Sequence, residues 1–354
     1  MNFSQALKTV LFAGISWFVT SSCSGQFDTV VNVPPSLLYP TKLSPNTQMN
    51  IFESGLVAEL TAVGQNIEVN VEGGRIDGAV STFGDGATLN LTEGEVELIF
   101  FNDGSVVNVF GGNLCALSFR TGSQLTVNGG EVFSCVFEGE ALLLDGSFQF
   151  QAFKNSDVVL VGGNLINGYT QGKYLIQGGT INGSMVVDCP TSQAGITGGE
   201  AGPEGVNLTA YAGTMRIAGG DYSNSTISAL FGSFELVGGP FFLNGVELVD
   251  LPVGVASQVD ARSGVLSATL ADGSLFEIDF DSPDNTIGDS ATVSVIPELV
   301  LGDLNGDLFV QLTDVQPFIE LLQSGRFQAE ADINQDGHID LLDVAVFVDL
   351  LTRG

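Results

Sequence analysis

The sequence predicts a mainly β chain: a right-handed parallel β-helix of about ten rungs, an antiparallel β module that ends it, and a small α-helical domain at the C-terminal end. Three observations lead there. A glycine pair recurs at intervals of 16 to 21 residues, apolar residues hold fixed positions on both sides of each pair, and helical spacing appears only after residue 299. The 354 residues include 46 glycines, so many tight turns join short apolar segments, as an all-β chain requires.

The pairs begin at Gly73, Glu93, Gly111, Gly129, Asp145, Gly162, Gly178, Gly198, Gly219 and Gly238. Glu93 and Asp145 are the only departures at the first position, and the second position is glycine throughout. Two residues before each pair the series runs from Val71, Leu91 and Val109 to Ile217 and Leu236, and four before it from Val69 and Leu89 to Met215 and Phe234. Three residues after it stand Ile76, Val96, Leu114 and their counterparts, as far as Tyr222 and Phe241. Alternation of period two gives each copy a strand with one buried face, a glycine turn and a second strand. One copy cannot bury its own apolar face, so the copies must stack into a coil with a continuous interior column. With rungs about 4.8 Å apart, ten make a rod on the order of 50 Å long. Asn70, Asn90 and Asn108 fall in an outward column, either a hydrogen-bonding stack or a plain solvent face.

A weaker copy, MNIFESGL, places Met49, Ile51 and Leu56 at the apolar positions and begins the coil, so residues 25–60 read as an entry segment and 61–248 as the repeats. Beyond Phe241 the pattern stops. The stretch GVLSATLADGSLFEIDFD alternates around Asp272-Gly273, a hairpin signal, and residues 249–298 read as an antiparallel module capping the last rung.

Residues 1–24 have the form of a secretory leader: a head with Lys8, an apolar core from Val10 to Val19, then small residues. The core is too short for a comfortable membrane span, so the mature chain is expected to be exported, secreted or at the cell surface, with no transmembrane span. Cys23 keeps a lipid anchor as the alternative. Losing Trp17 with the leader removes the only tryptophan, and with it a Trp platform for sugar stacking. Cys115, Cys135 and Cys189 read as small buried hydrophobes, with a Cys115–Cys135 disulfide as the alternative. Ten Lys and Arg against 41 Asp and Glu give a formal charge of −31, which repels nucleic acid and attracts metal cations.

Two copies of one unit, 29 residues apart, occupy residues 299–354: DLNGDLFVQLTD from Asp303 and DINQDGHIDLLD from Asp332. Loop positions 1, 3 and 5 bear oxygen in both, as Asp303, Asn305 and Asp307, then Asp332, Asn334 and Asp336. Position 12 is Asp314 or Asp343, at the start of a helix. Hard oxygen donors at this spacing suit calcium. After each loop, Val315, Phe318, Ile319 and Leu322 match Val344, Phe347, Val348 and Leu351, one face of a helix.

This duplicated unit resembles a type I dockerin over roughly the last 55 residues. The resemblance implies two calcium ions held by those eight residues, a short β contact between the position-8 residues Val310 and Ile339, and docking to a cohesin-like or cell-surface protein. Two positions depart from the family pattern. Leu308 replaces the glycine of position 6, so the first site is expected to be strained and the weaker one. Positions 10 and 11, where dockerins select their cohesin, hold Leu312-Thr313 and Leu341-Leu342, an apolar pair of surfaces suited to a different partner or to the β-helix itself. His338, the lone histidine, stands at position 7 with its ring expected in solvent.

By analogy of fold alone, a parallel β-helix raises the reading of a polysaccharide lyase or glycoside hydrolase. Cations in the repeats are few and spread over different rungs: Arg75, Arg120, Lys154, Lys173 and Arg216. The best acid candidates are Glu95 and Glu131, two rungs and so about 9.6 Å apart, with Asn113 between them. A polar outer column on a solvated strand accounts for the same pattern. The leading expectation is a non-catalytic protein, structural, adhesive or binding polysaccharide, with the enzyme as the alternative.

Overall fold

The computed structural model describes residues 27–34, 39–84, 86–150, 153–297, 300–324 and 326–353, with side chains throughout except at 78–80, 135, 150, 153–155 and 353. The leader expected at 1–24, with Trp17 and Cys23, and the side chain of Cys135 lie outside the described residues. Strands make up 56% of the chain and helices 9%, in a β-solenoid of about 10 turns followed by a small helical region.

The alternation read from the sequence becomes vertical columns. Val69 lies opposite Leu89, Leu89 opposite Val107 and Val107 opposite Leu125, and the same column runs on through Met215 and Phe234. All of these side chains are buried. Each fully buried Val, Leu, Phe or Met contributes about 1.5–3 kcal/mol, so the coil is held by repetition of one modest term. Pairing reaches back beyond MNIFESGL: strand Thr29–Val33 lies parallel to Thr47–Phe52, which lies parallel to Ile67–Gly84.

The second glycine of the pairs from Gly74 to Gly220 is explained by the rung beneath it. Gly112 has φ +74, and a methyl group there would sit 2.5 Å from the carbonyl oxygen of Gly94. Glu93, at a first position, is not among the residues of positive φ, so its side chain meets no backbone strain of that kind.

Two side-chain ladders add to the coil. Phe83, Phe101, Phe119 and Phe137 stack inside, with successive ring centroids 5.6, 4.5 and 5.1 Å apart. Outside, the asparagine column is a hydrogen-bonded stack: Asn50, Asn70, Asn90 and Asn108 each donate Nδ2–H to the Oδ1 of the asparagine one rung earlier, at 2.9, 3.0, 2.9 and 2.9 Å. Cys115 and Cys189 are half-buried rather than core residues. Cys115 stands on an outward column beside Glu97.

The end of the coil is mixed where an antiparallel module was expected. Strands Val265–Leu270 and Leu275–Asp279 form the antiparallel hairpin around Asp272-Gly273. Strand Thr292–Pro297 instead runs parallel to Ser233–Leu243, placing Val293 and Val295 over Phe234 and Leu236. Continuing the columns buries the last exposed apolar rung, which a purely antiparallel cap would leave partly open.

Candidate functional site

The two acidic loops fold into the same geometry, built from backbone N–H groups around fixed carboxylates. In the first, Leu304 and Asn305 N–H donate to Asp314 Oδ1 at 2.8 and 3.0 Å, and Gln311 N–H donates to Oδ2 at 2.8 Å. In the second, Ile333 and Asn334 N–H donate to Asp343 Oδ1 at 2.8 and 3.0 Å, and Asp340 N–H donates to Oδ2 at 2.9 Å. Position 1 is used alike: Asp303 accepts from Gly306, Asp307 and Leu308, and Asp332 from Asp336 and Gly337. Asn305 and Asn334 each donate to the aspartate two residues on, at 3.0 Å.

These carboxylates are costly as they stand. Asp314 and Asp343 are fully buried, Asp303 and Asp332 nearly so. Among the described residues no Lys, Arg or His forms an ion pair with any of the four. Burial, followed by the nearby Asp307 and Asp314 carboxylates, pushes Asp303 up to about 7, and burial also raises Asp314. Clustered buried negative charge without a counter-ion fits a bound cation. Among the described residues, no three His, Cys, Asp or Glu side chains converge as a ready-made metal cluster. Each loop instead offers two aspartates, an Asn-Asp pair and backbone carbonyls, the mixed hard-oxygen set that calcium takes.

Leu308 takes the position-6 conformation with φ +70, close to the φ +86 of Gly337 in the second loop. A non-glycine residue there is strained by about 1–3 kcal/mol. Its side chain is buried with Phe309, Val300 and Ile296 against Ala218 and Val237 of the coil. Burying a leucine contributes about 1.5–3 kcal/mol, enough to offset the strain. Two of the scattered cations meet here: Arg216 donates to the Leu308 carbonyl oxygen while paired to Glu235, and Lys173 donates to Gln311 Oε1. The Arg216 guanidinium lies over the Phe309 ring, 4.5 Å from its centroid. Sequence periodicity could not nominate these anchors, because their partners lie in a different domain.

The helices Val315–Ser324 and Leu341–Arg353 pack through Phe318 and Phe347, whose ring centroids are 4.5 Å apart, with Leu321, Ala331 and Ile333. Ile319 and Val348, expected on the inner face, are exposed, and Leu321 is buried instead. The contact of two short helices spans a narrower stripe than the sequence spacing allows. Val310 and Ile339 pack on this core, and no strand pairing joins them among the described residues. The His338 side chain is exposed, as expected, and the backbone N–H of His338 donates to Asp336 Oδ1 at 2.9 Å. Leu312, Leu341 and Leu342 are 82%, 80% and 64% exposed, so the residues of positions 10 and 11 leave a conspicuous apolar surface.

On the coil, Glu95 lies opposite Asn113 and Asn113 opposite Glu131. They line a shallow groove of about 320 Å³ together with Glu97, Phe133 and Gln149. Arg75 approaches Glu95 at 3.4 Å and Glu97 at 2.9 Å. Glu95 is therefore partnered by a cation, and the rung neighbours of Glu131 are Asn113 and Ser147. Among the described residues no helix is long and apolar enough to cross a membrane.

No curated protein and no solved structure was found to match this chain. Residues 301–351 match the Dockerin type I domain, a family that binds calcium and cohesin partners. The paired loops, the buried aspartates and that match together identify the C-terminal segment as a dockerin type I domain, carried at the end of a β-solenoid of about 10 turns.

Proposed function

We propose that the protein is an exported, non-catalytic β-solenoid, structural, adhesive or glycan-binding, assembled into a cohesin-based complex through a dockerin domain that holds two calcium ions. The observation that carries this reading is the pairing of two buried-carboxylate loops of matching hydrogen-bond pattern with the exposed Leu312, Leu341 and Leu342. Calcium would neutralise Asp303, Asp314, Asp332 and Asp343 and thereby set the start of each helix, from which those leucines project. Solvent-facing leucines at matched positions of both copies suit an apolar patch on a cohesin-like or cell-surface partner. The solenoid would then be the cargo, presenting its acidic and asparagine-laddered faces.

The test is capture of the partner from the producing cell's surface extract on the immobilised full chain. Retention in calcium, loss with chelator, and loss in Leu341→Asp/Leu342→Asp without loss of calcium uptake are expected. Retention by the doubly substituted chain would defeat the assignment of that surface.

The groove holding Glu95 and Glu131 supports a second reading, a lyase or glycoside hydrolase acting on polysaccharide. Incubation with pectic, alginate-like and sulfated polysaccharides in calcium separates the two. Release of reducing or unsaturated ends, abolished in Glu95→Gln or Glu131→Gln, would establish the enzyme and refute the non-catalytic reading.

A further inference from the structure

We propose that the solenoid itself completes the first calcium loop, with Arg216 as its positioning residue, so that calcium affinity at Asp303–Asp314 depends on docking of the loop against the coil. This rests on the calcium reading above. The two loops differ at position 6, Leu308 against Gly337, yet both take positive φ and both donate N–H to the position-1 carboxylate at 2.8 Å. Glycine takes that conformation without strain, whereas leucine is strained in it. Contacts from outside the first loop would offset that strain.

The coil supplies that hold at four consecutive loop positions. The Asp307 carbonyl lies over Gly195, where a methyl group would stand only 2.7 Å away. Leu308 is buried against Ala218 and Val237, and its carbonyl accepts from Arg216. The Phe309 ring lies under the same guanidinium, at 4.5 Å. Val310 packs against the same cluster as Leu308. Glu235, on the next rung, fixes the Arg216 fork. In the second loop Gly337 and His338 have no such neighbours: His338 is exposed, and a methyl group on Gly337 would meet nothing within 4 Å. The position-7 carbonyl, that of Phe309, is a calcium donor in loops of this kind, so clamping residues 307–310 presets it. Coupling is reciprocal: whatever factor docking adds to calcium affinity, calcium adds to docking.

Calorimetric calcium titration of the full chain tests this. Arg216→Ala is combined with Glu235→Gln, so that no half-buried carboxylate loses its partner. One site is expected to weaken about tenfold and the other to stay within about twofold. Adding Leu308→Gly is expected to restore most of the lost affinity, because glycine needs no external hold. Two sites unchanged in the Arg216 variant would overturn the inference, as would both sites weakening together without rescue by Leu308→Gly. A wild-type chain that takes up no calcium would instead overturn the calcium reading on which it rests.

Discussion

Replacing Asp343 with alanine removes a fully buried carboxylate that accepts three backbone hydrogen bonds, from Ile333 at 2.8 Å, Asn334 at 3.0 Å and Asp340 at 2.9 Å. A hydrogen bond to a charged group contributes about 1.5 kcal/mol at the low end, so the three together amount to roughly 4.5 kcal/mol. Calcium at a hundredfold excess over its Kd adds about 2.7 kcal/mol per site, and the variant also loses this term at the second loop. Domains of this size have little more stability than that to lose. The helical region of calcium-free Asp343→Ala is therefore expected to be unfolded while the solenoid remains folded. Differential scanning calorimetry of the full chain, with calcium and with chelator, reads the two transitions separately. In wild type, calcium should raise the smaller transition, and in the variant that shift should fall to about half or disappear. An Asp343→Ala chain that keeps the wild-type calcium shift would refute the role assigned to position 12.

Phe119→Ala opens a cavity between Phe101 and Phe137 and should cost about 3–5 kcal/mol, measured by urea unfolding. Gly112→Ala forces a side chain into positive φ and against the Gly94 carbonyl, and should cost more than about 2 kcal/mol, whereas Glu93→Ala should stay within about 0.5 kcal/mol. The pH dependence of the calcium-free first loop follows from Asp303, raised from 3.8 to about 7. Its folded form holds a proton between those values that the unfolded chain has released, so stability is greater at acid pH and is lost as pH rises through about 7. Calcium-free protein should therefore show a higher transition of the small domain at pH 5 than at pH 8. By competition, calcium affinity at that loop should fall as pH drops below about 7.

Much of this architecture is local in origin, and the sequence alone determined it. Which side chains face inward follows from period two, and which rungs align follows from the recurrence of the glycine pair, because stacked copies must present like positions to one another. The phenylalanine ladder was not among these readings: Phe83, Phe101, Phe119 and Phe137 stand 18 residues apart, but only the folded coil shows their rings stacked. The acidic loops were readable because their donors lie within twelve residues and the backbone alone brings them together. Tertiary structure decided what depends on surfaces meeting. Strand Thr292–Pro297 returns parallel because an apolar rung was left to cover. Ile319 and Val348 turn outward because the helix contact through Phe318 and Phe347 is narrow. Arg216 meets Leu308 across 92 residues of chain, a contact set by the shape of two folded surfaces rather than by any period. That contact makes sense of the leucine that the first loop carries in place of glycine.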